Sequence, residues 1–184
     1  MTPPRSPSER LAALGLELPP VPRPLAAYRP AVRSGSLVFT AGQLPLAEGR
    51  LIAVGPVVEA VTEPVAGDPV SGPTGDSVAG TVTLEQARAA AAQCALNALA
   101  AVAEVAGDLD NVQSVVKMVG YVCSGPGFTA QPTVLDGASE LVGAVFADAT
   151  SQGHARSAVG VAVLPLGASV EIELTAMLRV AGDQ

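Results

Sequence analysis

The stretch from His154 to Glu173 holds one arginine, Arg156, and two carboxylates, Glu171 and Glu173, among alanine, glycine and valine. An arginine is a planar, permanently charged fork that grips a carboxylate through two parallel hydrogen bonds. Small neighbours leave space beside it, so the pattern predicts an anion-binding place. The plainer reading of Arg156 is a structural arginine paired with an acidic neighbour. A Ser–His–Asp hydrolase would have to use His154, the one histidine of the chain. No G-x-S-x-G turn accompanies it between a strand and a helix, and Gly75-Asp-Ser-Val-Ala79 lies in a Pro/Gly-rich stretch, so His154 reads as a turn residue. Gly125-Pro-Gly-Phe-Thr-Ala130 is spaced like a dinucleotide fingerprint. Pro126 has no N–H to offer a phosphate and Pro132 delays the helix, so this too reads as a turn. Cys94 and Cys123 give no metal-ligand spacing with a single histidine, and they read as buried, reduced thiols.

The elements that must position Arg156 and the two glutamates follow from patterning. Ser6-Pro-Ser-Glu9 opens a short helix through a capping box with Pro7 at its first position. Residues 1–24 read as an N-terminal arm, and 25–184 as one domain. Ser36–Thr40 has strand composition and Leu51–Val54 is a weaker strand. Residues 56–80, rich in Gly, Pro and Val without periodicity, read as a long loop. Thr83-Leu-Glu-Gln86 is a second capping box, and Leu84, Ala87, Ala91, Ala95, Ala98, Val102 and Val105 recur at helical spacing up to Gly107. Val112–Cys123 alternates as a strand. Pro132–Phe146 reads as a helix with Leu135, Ala138, Leu141, Val142 and Val145 inward. Arg156–Val163 and Val170–Leu178 read as a closing hairpin.

Strands interleaved with two helices predict an α/β fold, a two-layer mixed sheet with both helices on one face. Arg156, Ala158, Gly160 and Ala162 share one side of their strand, and Ser157, Val159, Val161 and Val163 the other. Neither side is strongly polar, and such strands are usually covered on both faces, so the second face is expected to meet another subunit. In a hairpin turning near Leu166, Glu171 falls opposite Ala162, ~20 Å along the strand from Arg156. One small substrate could then use both residues only if they come from different chains.

Composition narrows the partners. The 184 residues are 49% hydrophobic but only 3% aromatic, so burial rests on Ala, Val and Leu. Seventeen acidic against ten basic residues, a net charge of −7, argue against nucleic acid as the main partner and favour a small molecule. The N-terminus has no apolar signal core, and Gln93, Asn97 and Glu104 interrupt the longest apolar run, so no membrane span is expected and the cytoplasm is the expected location.

Taken in order, Tyr28, Gly35-Ser-Leu-Val-Phe-Thr-Ala-Gly-Gln-Leu-Pro45, Val116–Val122, Ala155-Arg-Ser-Ala-Val159, Leu164-Pro-Leu-Gly167 and Val170-Glu-Ile-Glu173 resemble the RidA/YjgF family of reactive-intermediate deaminases. The resemblance spans Tyr28 to Leu178 outside the 56–80 loop. Gln131-Pro before the second helix is similar to a less studied branch. It implies a chorismate-mutase-like fold, a homotrimer with a central barrel and sites between subunits, and no metal or organic cofactor. It implies hydrolysis of 2-aminoacrylate and related enamines or imines to 2-keto acids and ammonia; a non-catalytic trimer that holds small carboxylates is the alternative. Endoribonuclease activity, attributed to some relatives, fits the acidic charge least. Arg156 then matches the carboxylate anchor and Glu171 the residue that positions or activates water. Tyr28 and Gly42 match pocket positions. Asp136 and Ala158 also fall in the pocket, where many members have Asn and some have Cys, and Asp136 adds a negative charge there.

Overall fold

The computed structural model describes residues 6–21, 28–59, 80–147 and 153–179. In chain order its elements are α1 (Pro7–Ala13), β1 (Ala31–Ser34), β2 (Leu37–Thr40), β3 (Leu46–Ala47), β4 (Arg50–Leu51), α2 (Leu84–Ala106), β5 (Val112–Cys123), α3 (Gln131–Val145), β6 (Ala155–Val161) and β7 (Val170–Leu178). Both capping boxes form. Ser6 and Glu9 close the first turn of α1, and Thr83 and Gln86 do the same for α2, which ends at Gly107 with φ 84°. Leu11 of α1 is buried in the main core, and Leu16, Leu18 and Val21 pack against it, so this much of the N-terminal segment lies on the domain.

One sheet of five strands runs in the order β1-β2-β7-β5-β6, with β5 and β6 parallel and the other pairs antiparallel. The two-layer α/β expectation holds, with α2 and α3 on one face over buried Val38, Met118, Val122, Ile172, Leu174 and Ala176. α2 has the length and mean hydropathy, 1.4, of a membrane-crossing helix, but 67% of that stretch is buried inside the protein. Its inner face is largely alanine, and Ala87, Ala91, Ala95 and Ala98 are fully buried. Short side chains of this kind let a helix lie close to its neighbours.

The closing hairpin does not form: β6 and β7 are not neighbours, because β5 lies between them. The connection passes across the end of β5, where the Cys123 N–H donates to Ser169 O and the Ser124 N–H to Val161 O, both at 2.9 Å. Leu166 (φ 58°) and Gly167 (φ 75°) turn the chain there. The physical reason is the helix between β5 and β6. A strand–helix–strand unit returns the chain parallel to the first strand and fills the position beside it. β7 must then pair on the far side of β5.

Two smaller differences concern short elements. The sequence reading missed β1, which pairs Ala31–Ser34 with β2. The strand expected at Leu51–Val54 is reduced to Arg50–Leu51 plus a single bridge from Val54 to Ala168. Most of the 56–80 loop lies outside the described residues, but its ends are pinned. The Val57 N–H donates to Cys123 O at 2.7 Å, and the Val82 N–H to Pro56 O at 2.9 Å.

α2 and α3 approach closely at Gly137, where an added Cβ would run into the backbone carbonyl of Arg88. Backbone cannot swing aside as a side-chain tip can. Gly137→Ala is therefore expected to destabilise the protein, since overpacking costs roughly 1–3 kcal/mol against the ~1 kcal/mol that alanine gains in helix propensity. Urea unfolding should show a lower midpoint with an unchanged slope. A midpoint at or above wild type would mean that the two helices separate freely.

Candidate functional site

Arg156 sits in β6 beside Met118 of β5, on the face that the helices cover. Because α3 lies over this edge of the sheet, two residues one helical turn apart, Asp136 and Ser139, project toward the guanidinium. Arg156 Nη1 donates to Asp136 Oδ1 at 2.8 Å and to Ser139 Oγ at 3.0 Å. Both bonds use one nitrogen, so the edge formed by Nε and Nη2 makes no hydrogen bond or ion pair among the described residues. The Arg156 side chain keeps 24% of its surface exposed. A second arginine flanks the same aspartate. Arg88 Nη1 lies 3.8 Å from Asp136 Oδ2, while its Nη2 donates to Glu140 Oε1 at 2.7 Å. Arg156 is thus paired with an acidic neighbour, as its plainer reading required, and still offers one side of its fork.

The small residues next to Arg156 have a packing role. A Cβ on Gly120 would strike Leu135 of α3, and one on Gly160 would strike the Gln131 side chain. Gln131 Nε2 in turn donates to Phe128 O at 2.8 Å and Ser124 Oγ at 3.1 Å. Ala158, beside Gly120, packs against the core. The space that glycine and alanine leave is filled by α3 and does not form an open anion pocket along the strand.

Glu171 lies on the other face. Its neighbours along β7, Val170 and Ile172, are fully buried under the helices, so strand alternation turns Glu171 and Glu173 away from them. Glu171 pairs in register with Tyr121 and Glu173 with Val119. The loop after β2 borders the carboxyl group: Gln43 bridges to Ile172 through bonds of 2.8 and 3.0 Å, which sets Gly42 against Glu171. A Cβ on Gly42 would fall on Glu171 Oε1. Burial, and then the charge of Glu173, pushes the Glu171 carboxyl up from the ordinary glutamate range. Burial chiefly, with Glu171 a further contributor, raises the Cys94 thiol well above its usual value, which keeps it an inert thiol.

A buried amide holds the same loop from below. Asn97 of α2 donates to Leu44 O at 2.8 Å and Leu46 O at 3.0 Å, and Gln93 donates to Leu46 O at 3.1 Å. The sequence shows Gln93 and Asn97 as polar interruptions of an apolar helix, and that interruption was the signal for their role. Ser139 and Arg88 were not found, because only the position of α3 over β6 reveals them.

Arg156 and Glu171 therefore lie on opposite faces of one sheet. Their places beside Met118 and Tyr121 set them three residues apart along β5 and one strand to either side, roughly 14 Å between backbones. Tyr28, 56% exposed, precedes β1 and makes no hydrogen bond to either residue among the described ones. His154 stands at the start of β6 with Nδ1 3.2 Å from Ala155 O. A cleft of about 460 Å³ beside Phe128 and another of about 220 Å³ beside Leu16 touch neither Arg156 nor Glu171. The open face of the sheet, meanwhile, exposes Val32 by 49%, Phe39 by 40% and Val159 by 40%.

Residues 54–178, which contain β5, α3, β6 and β7, match the family model described as Endoribonuclease L-PSP. Protein TCP17 of Trypanosoma cruzi is 37% identical over 163 residues, covering 89% of this chain and 88% of that protein. A structure from Shewanella oneidensis, of a protein provisionally called an endoribonuclease, is 28% identical with a TM-score of 0.77, covering 95% of this chain and 100% of the other. Atu1372 of Agrobacterium tumefaciens, a protein of unknown function, is 34% identical with a TM-score of 0.72, covering 94% and 92%.

Proposed function

The chain belongs to the Endoribonuclease L-PSP family, also known as the YjgF/RidA family, and on that footing we propose that it hydrolyses small enamines and imines of the 2-aminoacrylate class to 2-keto acids and ammonia. The observation that carries this reading is a pair of separated groups. Arg156 is fixed through one nitrogen with its other edge unengaged, and Glu171 is a half-buried carboxyl with a raised pKa and no ion pair among the described residues.

The substrate carboxylate lies along the Nε–Nη2 edge of Arg156, which places the imine carbon before a water molecule. Glu171 takes a proton from that water as its oxygen bonds to the carbon. The C=N π pair moves to nitrogen, which takes that proton back from Glu171 to give the carbinolamine. Glu171 then carries the hydroxyl proton to nitrogen as the C–N bond breaks, leaving the keto acid and ammonia. An enamine first gains a proton at its terminal carbon and enters as the imine. The residues described supply acid–base and electrostatic catalysis.

A sheet stands between Arg156 and Glu171 of one chain, so one small substrate reaches both only when a second copy supplies the other group. The proposed assembly is a homotrimer, and the exposed valines and Phe39 of the open face are the surface it would cover. Two free, buried thiols accord with the cytoplasm as the proposed location. The excess of acidic residues counts against RNA as the substrate.

Ammonia release from 2-aminoacrylate generated in situ by a pyridoxal-phosphate lyase tests the activity. Purified protein is expected to accelerate it well beyond the buffer reaction. Equal rates at high protein concentration, with small 2-keto acids still bound in calorimetry, would replace the deaminase with a non-catalytic carboxylate-binding protein.

A further inference from the structure

The Arg156 anchor has an unusual charge environment. Asp136 accepts from it at 2.8 Å, and Arg88 stands behind Asp136 at 3.8 Å, itself held by Glu140 at 2.7 Å and donating to Thr133 O at 3.2 Å. Two arginines and two carboxylates balance, so this corner of the protein presents no net positive charge. A ligand carboxylate is then gripped by the directed N–H groups of the free Arg156 edge, with little help from a long-range positive field.

A ligand with one carboxylate loses nothing by this. A second carboxylate on the ligand is repelled by Asp136, which lies against the same guanidinium, and no free cation stands beside it among the described residues. Arg88 lies on the far side of Asp136 and is already engaged. Lys117 is in register with Ala155, next to Arg156 in β6, so it points to the opposite face, where its Nζ donates to Ser157 Oγ at 2.9 Å.

We infer that Asp136 sets the charge class of the substrate: the site takes 2-imino and 2-oxo monocarboxylates with uncharged side groups and excludes dicarboxylates. The inference rests on Arg156 as the anchor and adds a determinant of specificity beside it. Asp136 is a positioning residue for the guanidinium and a repulsive charge toward a second anion. Ser139 fixes the same nitrogen without charge, so the geometry of the anchor does not depend on the negative charge of Asp136.

Two stable keto acids of equal chain length isolate the charge. Calorimetric binding of 2-oxopentanoate and 2-oxoglutarate is compared in the wild-type protein, in Asp136→Asn and in Arg156→Ala. Asparagine keeps an oxygen for Arg156 Nη1 and removes the charge. The wild-type protein is expected to favour 2-oxopentanoate, and Asp136→Asn to narrow that preference about tenfold, the size expected of one unit charge several ångströms away in a half-exposed site. An unchanged preference, with both acids bound and both lost in Arg156→Ala, overturns the role of Asp136 and leaves the anchor standing. Binding of both acids undiminished in Arg156→Ala overturns the anchor and this inference with it.

Discussion

Arg156→Ala is expected to lower kcat/KM for imine hydrolysis by about 10²–10³-fold, the usual cost of removing one partner of a hydrogen-bonded charge pair. The loss should appear in both constants, because the guanidinium holds the substrate and also aligns the imine carbon with the water. The variant has a structural consequence that needs separating from the catalytic one. Among the described residues it leaves Asp136 with only Arg88, 3.8 Å away and already bound to Glu140. The double variant Arg156→Ala/Asp136→Asn removes the orphaned charge along with its partner. It should recover stability lost by the single variant and recover none of the activity. Arg156→Lys tests the fork itself: the charge stays near Asp136, yet one ammonium cannot reproduce two parallel N–H groups, so activity should remain depressed by tenfold or more. Steady-state ammonia release, with thermal midpoints recorded on the same samples, checks all three. Arg156→Ala within threefold of wild type would remove Arg156 from the site.

Arg156 stood out from residue type and its small neighbours, either as an ion-paired arginine or as an anion grip, and the structure shows the ion pair with Asp136. Its partners were not legible to the same degree. Asp136 was placed near it through family resemblance, whereas Ser139 and Arg88 are neighbours only because α3 lies over β6 and crosses α2 at Gly137. The helices themselves were readable, because capping boxes at Ser6 and Thr83 and the inward row from Leu135 to Val145 are local signals. The hairpin expectation failed for a reason already present in the chain. Pro165-Leu-Gly167 does make a tight turn, but a tight turn does not decide which strands pair. The order strand–helix–strand in β5, α3 and β6 is the stronger constraint, because it fills the slot beside β5 with a parallel strand. That correction strengthens the separation of Arg156 and Glu171: distance along a hairpin becomes opposition across a sheet, which a side-chain rotation cannot bridge.

Glu171→Gln is expected to lower kcat by about 10²–10⁴-fold, the range for loss of a general base, with a smaller change in binding of the keto-acid product. Gly42→Ala should lower kcat in the same direction without altering the chemistry of the glutamate. Its Cβ would fall on Glu171 Oε1, the tip of a flexible side chain, so the carboxyl group moves and the backbone does not. Gly143→Ala is the matched control, since nothing lies within 4 Å of a Cβ there, and it should leave the rate unchanged. The pH profile supplies an independent sign. Glu171 must be ionised to accept a proton, and burial together with Glu173 raises its pKa, so kcat/KM should climb with pH through an acid limb above the ordinary glutamate value of about 4.3. Glu173→Gln removes the repelling charge and is expected to move that limb to lower pH, while burial of Glu171 keeps it from returning fully to the ordinary value. A profile flat across that range, together with full activity in Gly42→Ala, would mean that the water is activated by another group and that Glu171 serves the open face of the sheet alone.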